Sequence, residues 1–149
     1  MVPRASSLAL VILCVSAAGV LGAPRDQVRQ DWLTQNAVRW NGPGGSVATT
    51  VEDARGAVDG VIDGSWGFHT GLQESPWWQV DLEDTRRLSR IAVYNRCDGA
   101  ADRVAGLCLL LSEDGESWRE VFANDGAIFY GHSDGKPLQV DLDTAARYV

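Results

Sequence analysis

The sequence predicts an all-β fold, a sandwich or barrel of short antiparallel strands, on three observations. Six Asp-Gly pairs, at 59-60, 63-64, 98-99, 114-115, 125-126 and 134-135, punctuate the chain, and these two residues tolerate the positive φ of tight turns. Between the pairs lie runs of β-branched, aromatic and leucine residues at strand length. Helical periodicity extends nowhere beyond two turns.

Taken in order, residues 1–22 read as a secretory signal peptide. Arg4 supplies a positive start, Leu8 to Val20 an apolar run, and Val20-Leu21-Gly22 small residues before Pro24. That run, about 13 residues, falls short of the ~20 that a spanning helix needs, and no later stretch is long enough. The expectation is a secreted protein without an integral membrane segment. Residues 23–35 form a polar leader, and 36–149 the domain, which enters through the loop Asn41-Gly-Pro-Gly-Gly-Ser46. Strands are expected at Trp77–Leu82, Leu88–Tyr94, Leu107–Leu111, Trp118–Phe122 and Leu138–Leu142. Alternation puts Ile91, Val93 and Asn95 on one face, Ala92 and Tyr94 on the other, and divides Trp77 from Trp78. Glu83 and Asp84 read as a solvated turn. The stretch from Leu111 to Trp118 reads as a hairpin loop that returns Trp118 to the core.

Of the 149 residues, 45% are hydrophobic, enough for one domain with a real core. The formal charge is −7, and loss of Arg4 with the signal makes it 12 basic minus 20 acidic, or −8. Without a concentrated run of Lys or Arg, nucleic acid and anionic membrane surfaces are poor partners. Once Cys14 leaves with the signal, Cys97 and Cys108 remain, an even number that permits a disulfide in an oxidising compartment. Cys108, between Leu107 and Leu109, reads equally as a buried thiol.

The chemistry-bearing residues favour a binding domain over an enzyme. His69 and His132 are the only histidines, and no nucleophile-elbow, zinc-protease, Cys-x-x-Cys or phosphate-loop signature occurs. Arg96, Asp98 and Arg103 follow the strand that ends at Asn95. Two guanidiniums near one carboxylate make a fork of aimed donors suited to the hydroxyls and ring oxygen of a sugar. The same residues also read as an ion pair that only locks a loop. His69 follows Trp66-Gly67-Phe68; its imidazole can serve a hydroxyl while Trp66 and Phe68 cover the apolar face of a pyranose. A packed structural histidine is the other reading of His69.

Ala57-Val-Asp-Gly60, His69-Thr70, Pro76-Trp-Trp-Gln-Val-Asp-Leu82 and Asn95-Arg96-Cys97-Asp98 give the segment from about Asn36 onward a recognisable pattern. It resembles the F-type lectins, or fucolectins, within the wider discoidin and coagulation-factor type C group. That group has a galactose-binding-like, jelly-roll-like antiparallel β-sandwich. The family's sugar motif is His, some two dozen residues, Arg-x-Asp, four residues, then Arg or Lys. Here His69 is followed by 26 residues, Arg96, Cys97, Asp98, four residues and Arg103.

The resemblance implies that His69, Arg96 and Arg103 hydrogen-bond L-fucose while Asp98 holds the arginines, with fucosylated or galactosylated glycans as partners. It also implies a structural calcium at Asp59, with Val61 offering a main-chain carbonyl. Gly99-Ala100 stand where many relatives carry a vicinal cysteine pair, so one wall of the pocket is altered. Relatives usually continue one or two strands beyond the equivalent of Val149, so the expected sandwich lacks its last strand or strands. The pattern from Ser112 to Trp118 is closer to the general discoidin type, some of whose members bind collagen or phosphatidylserine. An adhesion module for protein or lipid is therefore the second functional reading.

Overall fold

The structure, a computed structural model, describes residues 54–68, 70 and 75–149 in full, and 13–17 and 38–40 as backbone strands. The described residues are strand-dominated and antiparallel, as expected. Six strands follow in chain order: β1 (Leu13–Ala17), β2 (Val38–Trp40), β3 (Trp78–Val93), β4 (Cys108–Leu111), β5 (Arg119–Ala123) and β6 (Leu138–Tyr148).

β3 organises the larger sheet, with β1, β2 and β6 all pairing to it antiparallel. The two strands expected at 77–82 and 88–94 are one 16-residue strand, because the chain between them bulges rather than turns. Asp81 Oδ1 accepts the Glu83 amide at 2.8 Å, Glu83 adopts φ 70°, and the register with β6 shifts between Asp81 and Arg86. Five residues of β3 stand against two of β6 here, and the three extra residues bend the strand without ending it. Glu83 and Asp84 are exposed at this bulge. β1, within the segment read as a signal, runs along β3 from Leu13 opposite Val93 to Ala17 opposite Leu88.

β4 and β5 form the expected hairpin. Ser112 Oγ accepts the Gly115 amide at 2.8 Å, and Asp114 Oδ1 accepts those of Glu116 and Ser117 at 2.8 and 2.7 Å. Trp118 departs from expectation: it is 38% exposed and tilts against Tyr148 rather than entering the core. Its neighbour Arg119 already starts a half-exposed edge strand, so the core face is filled from β4 instead. There Leu109 and Leu111 point inward and Cys108 and Leu110 outward, the period-2 alternation of a strand with one wet face.

The core gathers Phe68, Val80, Leu82, Leu88, Ile91, Val93, Val104, Leu109, Leu111 and Ala146 between these elements. β3 is buried on both faces from Ile91 to Val93, so Ala92 is as covered as its neighbours. On the wet side, Arg87 pairs with Asp143 and Arg90 with Asp141 across β3 and β6. Arg147 forms a two-pronged pair with Asp81 at 2.8 Å. These cross-strand pairs fix register more than they stabilise, since exposed ion pairs contribute at most about 1 kcal/mol.

Candidate functional site

At the end of β3 the chain leaves the sheet through Asn95, Arg96, Cys97 and Asp98. Asn95 is fully inside: its amide donates to Tyr130 O at 2.7 Å, and its Nδ2 donates to Ala101 O and Phe129 O, both at 2.9 Å. The latter two bonds pin the following 3-10 turn, Ala101–Val104, and the 129–131 segment to one point. Gly131 closes this arrangement at φ 105°, where a Cβ would sit 2.7 Å from Tyr94 Cδ1. Only glycine fits a backbone in that conformation and that close to a ring.

Arg96 is buried, and its Nε and Nη2 both donate to the Asp98 carboxylate, an in-plane fork. Asp98 also accepts the Ala100 amide at 3.1 Å, so one carboxylate holds the guanidinium and starts the turn. The Arg96 hydrogen bond pulls the Asp98 carboxyl down to about 2. Within the turn Ala101 and Val104 are buried anchors, which leaves Arg103 directed to solvent. Among the described residues no ion pair or side-chain hydrogen bond engages the Arg103 guanidinium. Asp98 thus holds Arg96 alone, not both arginines as the family pattern implied. Beside it, a Cβ at Gly99 would meet nothing within 4 Å, so the wall altered by Gly99-Ala100 is open space.

Chemically, Asp98 consumes part of the donor set of Arg96 and fixes the rest. A guanidinium carries five N–H donors and cannot lose its charge, so the N–H groups not facing Asp98 stay available in a rigid plane. Five further donors of Arg103 lie open on the same loop. Such an arrangement suits ligands rich in hydroxyl oxygens.

The other expected site residues divide. His69 lies outside the described residues. Trp66 is 49% exposed and lines a shallow cleft of about 120 Å³ between the 59–67 loop and the end of β3. Phe68 is not a pocket aromatic: it is fully buried and packs on Trp78 at 5.9 Å. Three residues on from Ser65, the chain has already turned into the core, and Phe68 is its anchor there. Cys97 and Cys108 are free thiols, so the disulfide that the sequence permitted is not formed, and Cys108 is exposed rather than buried. Strand alternation sends Cys108 to the outer face of β4, where desolvation and then Glu120 push its thiol up. Cys97 points instead toward Gly64, where an added Cβ would lie 3.1 Å from its Sγ. Asp59 is exposed and accepts the Val61 amide at 2.8 Å. Among the described residues no three His, Cys, Asp or Glu side chains converge to hold a metal.

Sequence reasoning missed Asn95 and His132. The signal for Asn95 was present, since alternation set it on the core face with Ile91 and Val93, where an amide needs dedicated partners. His132 had no local signal; it is brought to the cleft by the Gly131 contact.

Acid should unfold the domain in a defined window. Asp98 and Asp114 are each held near 2 against an ordinary value near 3.8, the former by Arg96, the latter by the Ser117 and Glu116 amides. Depressed carboxyls add stability that is complete above the unfolded value and lost as pH falls through the folded one. Calorimetry should show Tm steady from pH 7 to about 4.5 and falling between about 4 and 2, with Asp114→Asn flattening part of that fall. A Tm unchanged down to pH 2 would contradict the geometry.

An F5/8 type C domain model matches residues 41–149. Over 58 residues, 36% of this chain, the sequence is 31% identical to the fucolectin of Anguilla anguilla, of which it spans 37%. Over 59 residues, 37% of this chain, it is 32% identical to the pentraxin fusion protein of Xenopus laevis, of which it spans 14%. The chain therefore spans well under half the length of these curated relatives. A solved fucose binding module of Streptococcus pneumoniae, SpX-3, superposes with a TM-score of 0.57 at 23% identity, covering 78% of this chain and 81% of that one. That likeness establishes the galactose-binding-like β-sandwich fold. Since the family model covers most of the sequence, the chain is a member of the F5/8 type C domain family.

Proposed function

We propose that this chain is a secreted carbohydrate-binding module for fucose- or galactose-type sugars, with His69, Arg96 and Arg103 as the contacting residues. The observation that carries the reading is the Arg96 fork, buried and oriented by Asp98, beside an Arg103 with no described partner. Asp98 serves as the positioning residue. The names of the matched relatives, fucolectin and fucose binding module, support the sugar class. The signal-like residues 1–22 support an extracellular location, and no described helix is long and apolar enough to cross a membrane. Trp66 supplies an exposed aromatic face, and Gly99 leaves the neighbouring wall open to substituents on the sugar. Nothing in the reading depends on calcium at Asp59.

A second reading rests on the loop carrying Val61, Ile62 and Trp66, which are 54%, 37% and 49% exposed. Such a loop suits the adhesion-module alternative, a protein or lipid contact. Residues 59–67 carry two aspartates and no basic residue, which disfavours anionic lipid.

A glycan array of the mature domain, run with and without calcium, tests both readings. Wild type should bind fucosylated or galactosylated glycans in either buffer, and Arg103→Ala, on an exposed site, should fold normally and lose about tenfold or more in affinity. A folded wild type that binds no glycan would move the adhesion reading to first place.

A further inference from the structure

We propose that the outer edge of β6, from Leu138 to Asp143, takes an extended segment of a protein partner as an added strand, and that this segment alternates basic with aliphatic residues. The site does not rest on the sugar reading, because β6 carries none of His69, Arg96, Asp98 or Arg103.

The main chain supplies the first half of the argument. Along one side β6 pairs with β3, in regular register from Leu138 opposite Val93 to Asp141 opposite Arg90. On the other side, the main-chain hydrogen bonds among the described residues lie at the far end, where Ser112 meets Arg147 and Tyr148. A strand directs alternate N–H and C=O groups away from its neighbour, so residues 138–143 present a row of unpaired donors and acceptors. Such a row is a template for another chain.

The side chains define which chain fits. Leu138, Val140 and Leu142 face the core yet are only half-buried, as are Val121 and Phe122 on β5. An added strand with aliphatic residues at every second position would cover that row. On the opposite face, the side chains of Asp141 and Asp143 are 76% and 73% exposed. Each carboxylate is engaged through one oxygen: Asp141 Oδ1 accepts from Arg90 Nε and Asp143 Oδ1 from Arg87 Nε, both at 2.7 Å. Among the described residues no donor reaches either Oδ2, which retains its accepting capacity for a cation on the open side.

β3 already meets the same demands on the paired side. There Arg87 and Arg90 bring the cations to the aspartates, while Leu88 and Ile91 are fully buried in the core. The open edge asks for a strand of like pattern. A second copy of this chain is a poor occupant through β6 itself, since β6 against β6 would set two rows of aspartates on one face.

The test titrates the full chain with a fluorescein-labelled heptapeptide, Arg-Leu-Ser-Arg-Ile-Ala-Val, which has the sequence of residues 87–93. Fluorescence anisotropy should show saturable binding, and replacing both arginines of the peptide by glutamate should weaken it about tenfold or more. Two further peptides carry N-methyl groups at the even or at the odd positions. One set should abolish binding and the other leave it within about twofold, because only one edge of the peptide bonds to β6. Amide hydrogen exchange of the wild type should slow between Leu138 and Asp143 when the peptide is bound. Asp141→Asn combined with Asp143→Asn should weaken the peptide about fivefold, and the peptide variants keep the test decisive if that protein folds poorly. No saturable binding, equal effects of the two methylation patterns, undiminished binding of the glutamate peptide, or protection elsewhere than β6 would each overturn the proposal. So would a wild type that sediments as a dimer with these amides already protected, which would give the edge to a second copy.

Discussion

Arg96→Lys should lower affinity for fucosylated or galactosylated glycans by about 10- to 100-fold while leaving a folded domain. The charge survives, but lysine offers three donors from one point and cannot grip Asp98 in a plane while also presenting donors to a ligand. Loss of a charge-assisted hydrogen bond is worth about 1.5–3 kcal/mol, which sets that range. The stability change should be smaller, about 1 kcal/mol, because the Asp98 side chain is 48% exposed and water can take over the lost contacts. Isothermal titration with a fucosylated glycan, paired with a thermal melt, separates the two effects. A variant that binds as wild type would reduce the Arg96–Asp98 pair to a loop lock and remove the main support for the sugar reading.

Phe68→Ala should have the largest effect on stability, about 3–5 kcal/mol, from lost transfer energy and the cavity left behind. The ring is fully buried, and it packs on Trp78, whose indole N–H donates to Ala54 O at 3.0 Å. Phe68 and Trp78 together therefore tie both ends of the 54–68 segment to β3. For a domain of this size the loss corresponds to about 15 °C or more in Tm. Differential scanning calorimetry measures it directly. The fraction still folded at low temperature should bind glycans with unchanged affinity, because Phe68 offers no surface to a ligand. A Tm within a few degrees of wild type together with weakened glycan binding would return Phe68 to the pocket.

Arg96 and Asp98 were legible because residues two apart in extended chain lie on one side, so their pairing needs no information from elsewhere. The hairpin at 111–118 was legible for the same reason, since Ser112 and Asp114 satisfy amides only two or three residues away. That Asp98 grips one arginine and not two was not legible. Arg103 sits on a turn whose direction is set by burial of Ala101 and Val104, not by its distance in sequence from Asp98.

The amino-acid sequence by itself determined the strand pattern, the turns, the charge that argues against nucleic acid, and the Arg96–Asp98 pair, because each follows from interactions spanning a few residues. Tertiary structure alone decided the rest. It drew Phe68 into the core and left Trp118 on the surface, parted Cys97 from Cys108, and merged two expected strands into β3. It also buried Asn95 beneath a cleft shared with His132. Each of these depends on which segments distant in sequence stack against one another, and an aromatic or a cysteine carries no local mark of what will cover it.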